Sequence, residues 1–190
     1  MFSTIILGAG KSTRMKANKS KLLFDIAGKP IITHIIESVK QAGCRDIICV
    51  VNRDSRELVQ LLKDHKTTIT FQKNSNGTAG AALAGSKIIT NNSRKLLILC
   101  GDAPFITTKS IKSMIRKISS ADACVGTVEL ESPKGYGRII RSGNKISEIV
   151  EERDTTIEQR LIREVNTGVI SIKNSVFKKH ITEIKNNNAK

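Results

Sequence analysis

Runs of consecutive apolar residues alternate along this chain with stretches in which apolar positions recur every three or four residues. The first run, Thr4–Leu7, reads as a short strand that passes directly into glycines. Lys21–Phe24 reads as a brief extended piece, and Gly28-Lys29-Pro30 as a turn into a helix. Ile31, Ile32, Ile35, Ile36 and Val39 give that helix one apolar face. Pro30 suits its first helical position and Gly43 its stop. Asp46–Val51 is continuous enough for a strand buried on both sides. Ser55–Lys63 then reads as a helix with Leu58, Leu61 and Leu62 inward, and Thr67–Gln72 as a strand. Lys73–Thr78 is a polar loop, Ala79–Ile89 an Ala-rich helix, Lys95–Cys100 a buried strand broken by Gly101-Asp102-Ala103-Pro104. Ile106–Ile118 is a helix capped near Thr107 or Thr108.

The rhythm changes after this point. Ala123–Leu130 reads as a strand and Gly135–Arg138 as a turn. Ile139–Arg141 and Lys145–Val150 flank Ser142-Gly143-Asn144, a hairpin signal. Thr155–Ile162 reads as a helix, Glu164–Ile172 as a strand and Ser175–Lys185 as an amphipathic helix, with a polar, frayed tail over 185–190. No repeat and no long linker interrupts the series. Strand–helix alternation in the first two thirds predicts an α/β fold with a mixed, mainly parallel sheet and helices on both faces. Ligands of such sheets sit at the carboxyl ends of the strands. The glycine loop, Lys73–Thr78 and Asp102 all follow strands directly, so they are expected to converge at one edge.

Composition narrows the picture. The 190 residues are 39% hydrophobic and 26% charged, which suits one globular domain spanning 1–190. No apolar run is long enough to span a membrane. The N-terminal run is broken by Gly8 and Lys11, so it does not read as a signal peptide. Cys44, Cys49, Cys100 and Cys124 are scattered with no CxxC pair, and three lie in strand-like runs. Buried, reduced thiols in a cytoplasmic protein are expected. The formal net charge is +15. The excess Lys is spread over many segments and aromatic residues are scarce, so the charge reads as compositional drift with a modest electrostatic benefit for anionic substrates rather than as a nucleic-acid footprint.

The chemistry concentrates in Leu7-Gly8-Ala9-Gly10-Lys11-Ser12-Thr13-Arg14-Met15, followed by Lys21. A strand that runs into glycines lets backbone N–H groups approach phosphate oxygens, and Lys11, Arg14 and Lys21 add positive charge. A Walker A loop needs a glycine where Ile5 stands, and a dinucleotide fingerprint needs one where Thr13 stands. The segment instead resembles the signature of sugar-phosphate nucleotidyltransferases. Further pieces follow in that family's order: AGKP (27–30), Gln72 with Gly77-Thr78, LCGDAPFI (99–106), GYGRI (135–139), IVEERD (149–154) and EVNTG (164–168). Together they resemble the uridyltransferase domain of the bacterial bifunctional N-acetylglucosamine-1-phosphate uridyltransferase/glucosamine-1-phosphate acetyltransferases.

That resemblance implies a Rossmann-like nucleotidyltransferase fold. It also implies an Mg²⁺-dependent reaction of UTP with N-acetylglucosamine 1-phosphate that yields UDP-N-acetylglucosamine and pyrophosphate. Leu7, Gly8, Ala9, Gly10, Lys11, Ser12 and Thr13 would hold the nucleotide with Gln72, Gly77 and Thr78, whose amide and backbone groups suit the edge of uracil. Arg14 and Lys21 would act on the phosphates. Asp102 would be the metal ligand, a hard oxygen donor of the kind Mg²⁺ takes. Gly137, Glu151, Asn166 and Thr167 would bind the sugar. Two departures stand out. Ser75 takes the place of the family's second Gln, and Ala79-Gly80-Ala81 follows Thr78 where the family has GHA. The resemblance runs through Asn186-Asn187-Asn188-Ala189, short of the family's second Mg²⁺ ligand and its acetyltransferase domain, so acetyl transfer is not expected. Transferases of the molybdopterin or CDP-alcohol type, and a degenerate domain that binds nucleotide sugar without turnover, remain the alternatives.

Overall fold

The computed structural model describes residues 1–10, 20–53, 55–72, 77–89 and 94–184. Lys11, Ser12, Thr13, Arg14 and Ser75 lie outside these, as does the 185–190 tail. The chain divides into two compact units, Met1–Cys124 with Ser171–Lys190, and Val125–Ile170.

In chain order, the first unit begins with β1 (Ser3–Leu7), a two-residue pair β2 (Asp25–Ile26) and β3 (Lys29–Pro30), and α1 (Ile31–Gln41). It continues through β4 (Asp46–Val51), α2 (Arg56–Asp64), β5 (Thr68–Phe71), α3 (Gly77–Ser86), β6 (Lys95–Cys100) and α4 (Thr108–Lys117). Strands β5, β4, β1 and β6 lie side by side, all parallel. Counted along the chain this is the order 3-2-1-4 of a doubly wound sheet, with its switch point at β1. Successive residues of a strand face opposite sides. Ile5 and Ile6 are both 0% exposed, so both faces of β1 are covered, and this is why the run carries no polar alternation. On one face Ile5, Val50, Leu96 and Ile98 pack with Ala81 and Ala82 of α3 and with Phe177.

Helix α3 sits close because it carries a glycine. A Cβ placed on Gly85 would stand 2.6 Å from Ile5 Cγ2 and 3.0 Å from Val50 Cγ2. Thr107 caps α4 by accepting the Ser110 N–H at 3.1 Å. Pro30 is the N-cap of α1 rather than its first helical residue, and Gly43 closes the helix end at φ +96°.

The Lys21–Phe24 stretch is not extended. Lys21–Leu23 forms a 3₁₀ turn whose N-cap, Ser20, accepts the Leu22 N–H. Its purpose is Leu22, which is 2% exposed and fills the space over two glycines. A Cβ on Gly8 would lie 2.8 Å from Leu22 Cδ1, and one on Gly101 would lie 3.1 Å from it.

The chain leaves this unit in β7 (Ala123–Glu129) and returns in β10 (Glu164–Lys173). Between them lie β8 (Arg138–Ser142), β9 (Lys145–Val150) and α5 (Ile157–Arg160). In the second unit β8 and β9 form an antiparallel hairpin with an irregularity between Ile140 and Arg141. β8 also pairs antiparallel with β10 through Arg138 and Val165. The expected helix over Thr155–Ile162 shrinks to the single turn α5, held by a Thr156/Gln159 capping box. The last helix is shorter than its pattern too: α6 covers Asn174–His180, and a 3₁₀ turn follows over Ile181–Glu183.

None of the four cysteines, all of them among the described residues, forms a disulfide. Cys44 and Cys49 are buried as expected, whereas Cys100 and Cys124 are only partly so. Among the described residues no helix is long and apolar enough to cross a membrane.

Candidate functional site

The carboxyl ends of β1, β5 and β6 open into one cavity of about 360 Å³ in the first unit. Leu7, Gly8, Ala9 and Gly10 line it from the end of β1, Gln72 from the end of β5, and Gly77, Thr78 and Ala81 from the start of α3. Lys21, Leu22, Cys100 and Asp102 complete the wall. Of the loops expected to meet at one sheet edge, the described parts, Leu7–Gly10, Gly77-Thr78 and Asp102, line this one cavity, while 73–76 lie outside the described residues. Lys11, Ser12, Thr13 and Arg14, which the sequence adds to this site, fall outside the described residues.

The glycines of the opening segment have different work. Gly8 continues the ladder by donating its N–H to Val50 O at 2.7 Å, and Gly101 donates likewise to Leu7 O at 2.9 Å. Both also make room for Leu22. Gly10 is exposed, and a Cβ there would meet nothing within 4 Å among the described residues. Packing therefore does not require a glycine at position 10, while close approach of a ligand to the backbone would. Asn52, just past β4, donates its Nδ2 to Ala9 O at 2.8 Å and pins the loop. The sequence carries no motif that singles out Asn52, because its partner is 43 residues away.

Gln72 donates its Nε2 to Gly77 O at 3.2 Å, which ties the end of β5 to the first residue of α3. Gly77 has φ +67°, a left-handed conformation that glycine adopts freely. The amino end of α3 thus faces the cavity with the partial positive charge of a helix N-terminus.

Lys21 and Asp102 are joined across the cavity by a short ion pair between Nζ and Oδ2. Their side chains are 34% and 44% exposed, so both are open to a ligand. Each charge holds the other in place: Lys21 through the buried Leu22 beside it, Asp102 through Gly101 at the end of β6. The neighbouring Cys100 thiol is pushed up by burial first and by the Asp102 carboxylate second. It lines the wall as a neutral group.

The second unit assembles Gly137, Glu151 and Asn166. Asn166 donates its N–H to Gly137 O at 2.9 Å, and a Cβ on Gly137 would lie 3.5 Å from Glu151 Oε1. Asn166 Oδ1 accepts the Gly168 N–H at 2.9 Å, which leaves its Nδ2 protons for other partners. Glu151 is exposed, and its carboxylate has no partner among the described residues. Thr167 is placed differently. Its hydroxyl donates to Gly126 O at 2.7 Å and fills the space where a Gly126 Cβ would lie, so it ties β10 to β7.

A buried guanidinium, Arg138, sits at the start of β8 in the middle of this group. It reaches the Tyr136 carbonyl through Nη1 and stands 3.5 Å from Glu152 through Nη2. The sequence shows Arg138 as part of the GYGRI stretch, without revealing that it is interior.

The MobA-like NTP transferase domain matches residues 4–163. Among curated proteins, the bifunctional protein GlmU of Staphylococcus epidermidis is 36% identical over 188 residues, covering 97% of this chain and 42% of the relative. GlmU of Staphylococcus saprophyticus gives the same figures. The chain therefore spans 42% of the length of these curated relatives. Among solved structures, a putative glucose-1-phosphate thymidylyltransferase from Bacillus anthracis, in complex with a sucrose, superposes with a TM-score of 0.82 at 21% identity over 97% of this chain and 76% of that one. UDP-glucose pyrophosphorylase complexed with UDP-glucose superposes with a TM-score of 0.76 at 20% identity over 97% of this chain and 81% of that one. At these identities the two structures establish the fold, a Rossmann-like α/β sheet. The family match over most of the chain does more: this chain belongs to the family of MobA-like NTP transferase domains.

Proposed function

We propose that this domain is a sugar-phosphate nucleotidyltransferase that converts UTP and N-acetylglucosamine 1-phosphate into UDP-N-acetylglucosamine and pyrophosphate. The observation that carries the reading is the single cavity at the strand ends. It gathers glycine backbone, Gln72, the start of α3 and the Lys21–Asp102 pair. The 36% identity to GlmU supports this choice of substrates over a molybdopterin or CDP-alcohol acceptor. So does the joint presence of Gly137, Glu151 and Asn166.

The reaction needs no protein nucleophile. A phosphate monoester is largely ionised at pH 7, so an oxygen of the sugar phosphate attacks the α-phosphorus of UTP. The bond to the β-phosphate oxygen breaks, and pyrophosphate leaves. Catalysis is then positioning and charge neutralisation. Gly8–Gly10 present backbone to the triphosphate, and Gln72 and Gly77 contact the base. Lys21 exchanges its carboxylate partner for phosphate oxygens. Arg14 and Lys11, by their place in the sequence, add charge to the same group.

The donor set at the cavity fits magnesium. Asp102 offers one hard, half-exposed carboxylate. Among the described residues no cluster of three or more His, Cys, Asp or Glu could cage a metal by itself. An ion that takes one or two carboxylates and completes its shell from phosphates and water suits such a site. When bound, Mg²⁺ would neutralise charge on the phosphates; Asp102 would hold it once Lys21 has turned to the nucleotide. With scattered cysteines that carry no disulfide framework in their spacing, and UTP as substrate, the proposed reaction belongs in the cytoplasm.

The test is pyrophosphate release from each of four NTPs against a panel of sugar 1-phosphates, with and without Mg²⁺. UTP with N-acetylglucosamine 1-phosphate should give the highest kcat/KM. A different base or acceptor in first place would overturn the assignment, and nucleotide-sugar binding without pyrophosphate release would establish the degenerate-domain reading instead.

A further inference from the structure

Arg138 is 2% exposed, so it touches no substrate. Taking a cation out of water is unfavourable unless it is paired and well hydrogen-bonded, and replacing such a pair as a whole by apolar side chains of like volume is often neutral or stabilising. Here the pairing is incomplete. Nη2 stands 3.5 Å from Glu152 Oε1, Nη1 donates to the Tyr136 carbonyl, and Nε is buried with no partner among the described residues. Filling space does not account for an arginine at this position.

Its contacts all bear on one turn. Glu152, besides facing Arg138, accepts the Gly135 N–H on Oε2. The pair therefore grips Gly135 by its amide and Tyr136 by its carbonyl. Gly137 comes next in the chain. Its carbonyl takes the Asn166 N–H, and it lies against Glu151. The backbone of Arg138 itself is registered between Val150 of β9 and Val165 of β10. Those two residues directly precede Glu151 and Asn166.

We propose that Arg138 and Glu152 form a positioning pair for recognition of the sugar. Together they fix the Gly135–Gly137 turn so that Gly137, Glu151 and Asn166 present one preset surface. This rests on the sugar-side reading of those three residues. Lysine cannot replace the arginine, because one ammonium cannot serve Tyr136 O and Glu152 with the planar fork that a guanidinium provides.

The test is calorimetric titration of UDP-N-acetylglucosamine and, separately, of UTP, each with Mg²⁺. The proteins are the full chain and its Arg138→Lys, Arg138→Met, Glu152→Gln and Glu151→Ala variants, with melting temperatures measured in parallel. Small displacements of a positioned group can cost up to about 10²-fold. The Arg138 and Glu152 variants should therefore weaken UDP-N-acetylglucosamine by about 10-fold or more while UTP affinity stays within about twofold. Arg138→Met, which also frees Glu152 and the Tyr136 carbonyl, should lose sugar-nucleotide affinity while its UTP affinity stays within about twofold whatever its melting temperature, a split that a merely structural residue would not produce. Equal loss of both ligands, in step with a fall in melting temperature, overturns the proposal. If Glu151→Ala weakens the sugar nucleotide but the Arg138 and Glu152 variants do not, the positioning role alone is overturned. If Glu151→Ala binds like wild type, the sugar-side reading falls and the positioning role with it.

Discussion

Replacing Gly85 with alanine sets two known effects against each other. Inside a helix, Gly→Ala is favourable by about 1 kcal/mol, because glycine gives up more backbone freedom. At Gly85 the added methyl would stand 2.6 Å from Ile5 Cγ2 and 3.0 Å from Val50 Cγ2, against about 3.5–4.0 Å for a relaxed carbon–carbon contact. Both neighbours are 0% exposed and β-branched. A γ-methyl cannot swing away without turning χ1, which is stiff in such residues. Helix α3 must therefore lift by close to an ångström, and overpacking of this kind costs about 1–3 kcal/mol. The clash outweighs the propensity, for a net loss of about 1–2 kcal/mol. In a domain of this size that lowers the melting temperature by about 2–4 °C per kcal/mol. The helix that lifts also carries Gly77 and Thr78 to the cavity, so UTP affinity should fall with stability. Thermal unfolding followed by circular dichroism, paired with UTP titration, measures both. A melting temperature that rises would refute the argument, since it would mean that α3 has room and propensity alone decides.

Gly10→Ala should leave the unfolding free energy within about 0.5 kcal/mol of wild type, as an unobstructed surface change does, yet weaken UTP binding; unchanged UTP affinity would remove position 10 from the phosphate site. Lys21→Ala and Asp102→Asn should each lower Mg²⁺-dependent pyrophosphate release by about 10²–10³ with the fold intact by circular dichroism, and near-normal rates would remove the pair from the mechanism. UDP-N-acetylglucosamine should raise the melting temperature of the wild-type chain by binding its folded state; a flat thermal-shift titration up to millimolar ligand would count against the sugar-side assignment. Glu164 is held at about 2, against an ordinary 4.5, by its hydrogen bonds to Arg141. A depressed carboxylate stabilises the fold above its unfolded value, so this contribution is present above pH 4.5 and fades as pH drops toward 2. Glu164→Gln should accordingly flatten the acid side of a melting-temperature profile, and a profile that keeps the wild-type slope would show that other carboxylates set it.

The parts of this fold that could be read in the sequence are those where one residue type answers one demand. After their first residues, Asp46 and Lys95, β4 and β6 are covered on both faces and every further position is apolar, so the bounds Asp46–Val51 and Lys95–Cys100 follow directly. Spacing misled where apolar residues serve something other than a helix face. Ile157 and Leu161 stand four apart like a buried stripe, yet both are 78% exposed, and α5 is one turn. Leu22 looks like part of a strand but is a plug over Gly8 and Gly101, a demand made by residues far off in the chain. The site was legible as a set of loops after strands. The roles within it were not, because Gly8 and Gly10 look alike until one asks what a methyl group on each would strike. Asn52 and the Arg138–Glu152 contact stayed hidden for the same reason.

The level ends of the central strands have a further consequence. Leu7 is the register partner of both Val50 and Cys100, and the N–H groups of Gly8 and Gly101 each add one more rung beyond them. Asp102 thus reaches the cavity by a fixed count of residues along β6. Each strand residue advances the chain by about 3.3 Å and turns the side chain to the other face. A single residue inserted into β6 would carry the carboxylate past Lys21 and send Cys100 through to the opposite side, whereas changes beyond Asp102 would leave the count untouched. In descendants of this domain, lengths should therefore drift in the connections and stay frozen in the three strands that end together. Any graft of this site onto another sheet would have to copy the number of rungs before it copied the residues.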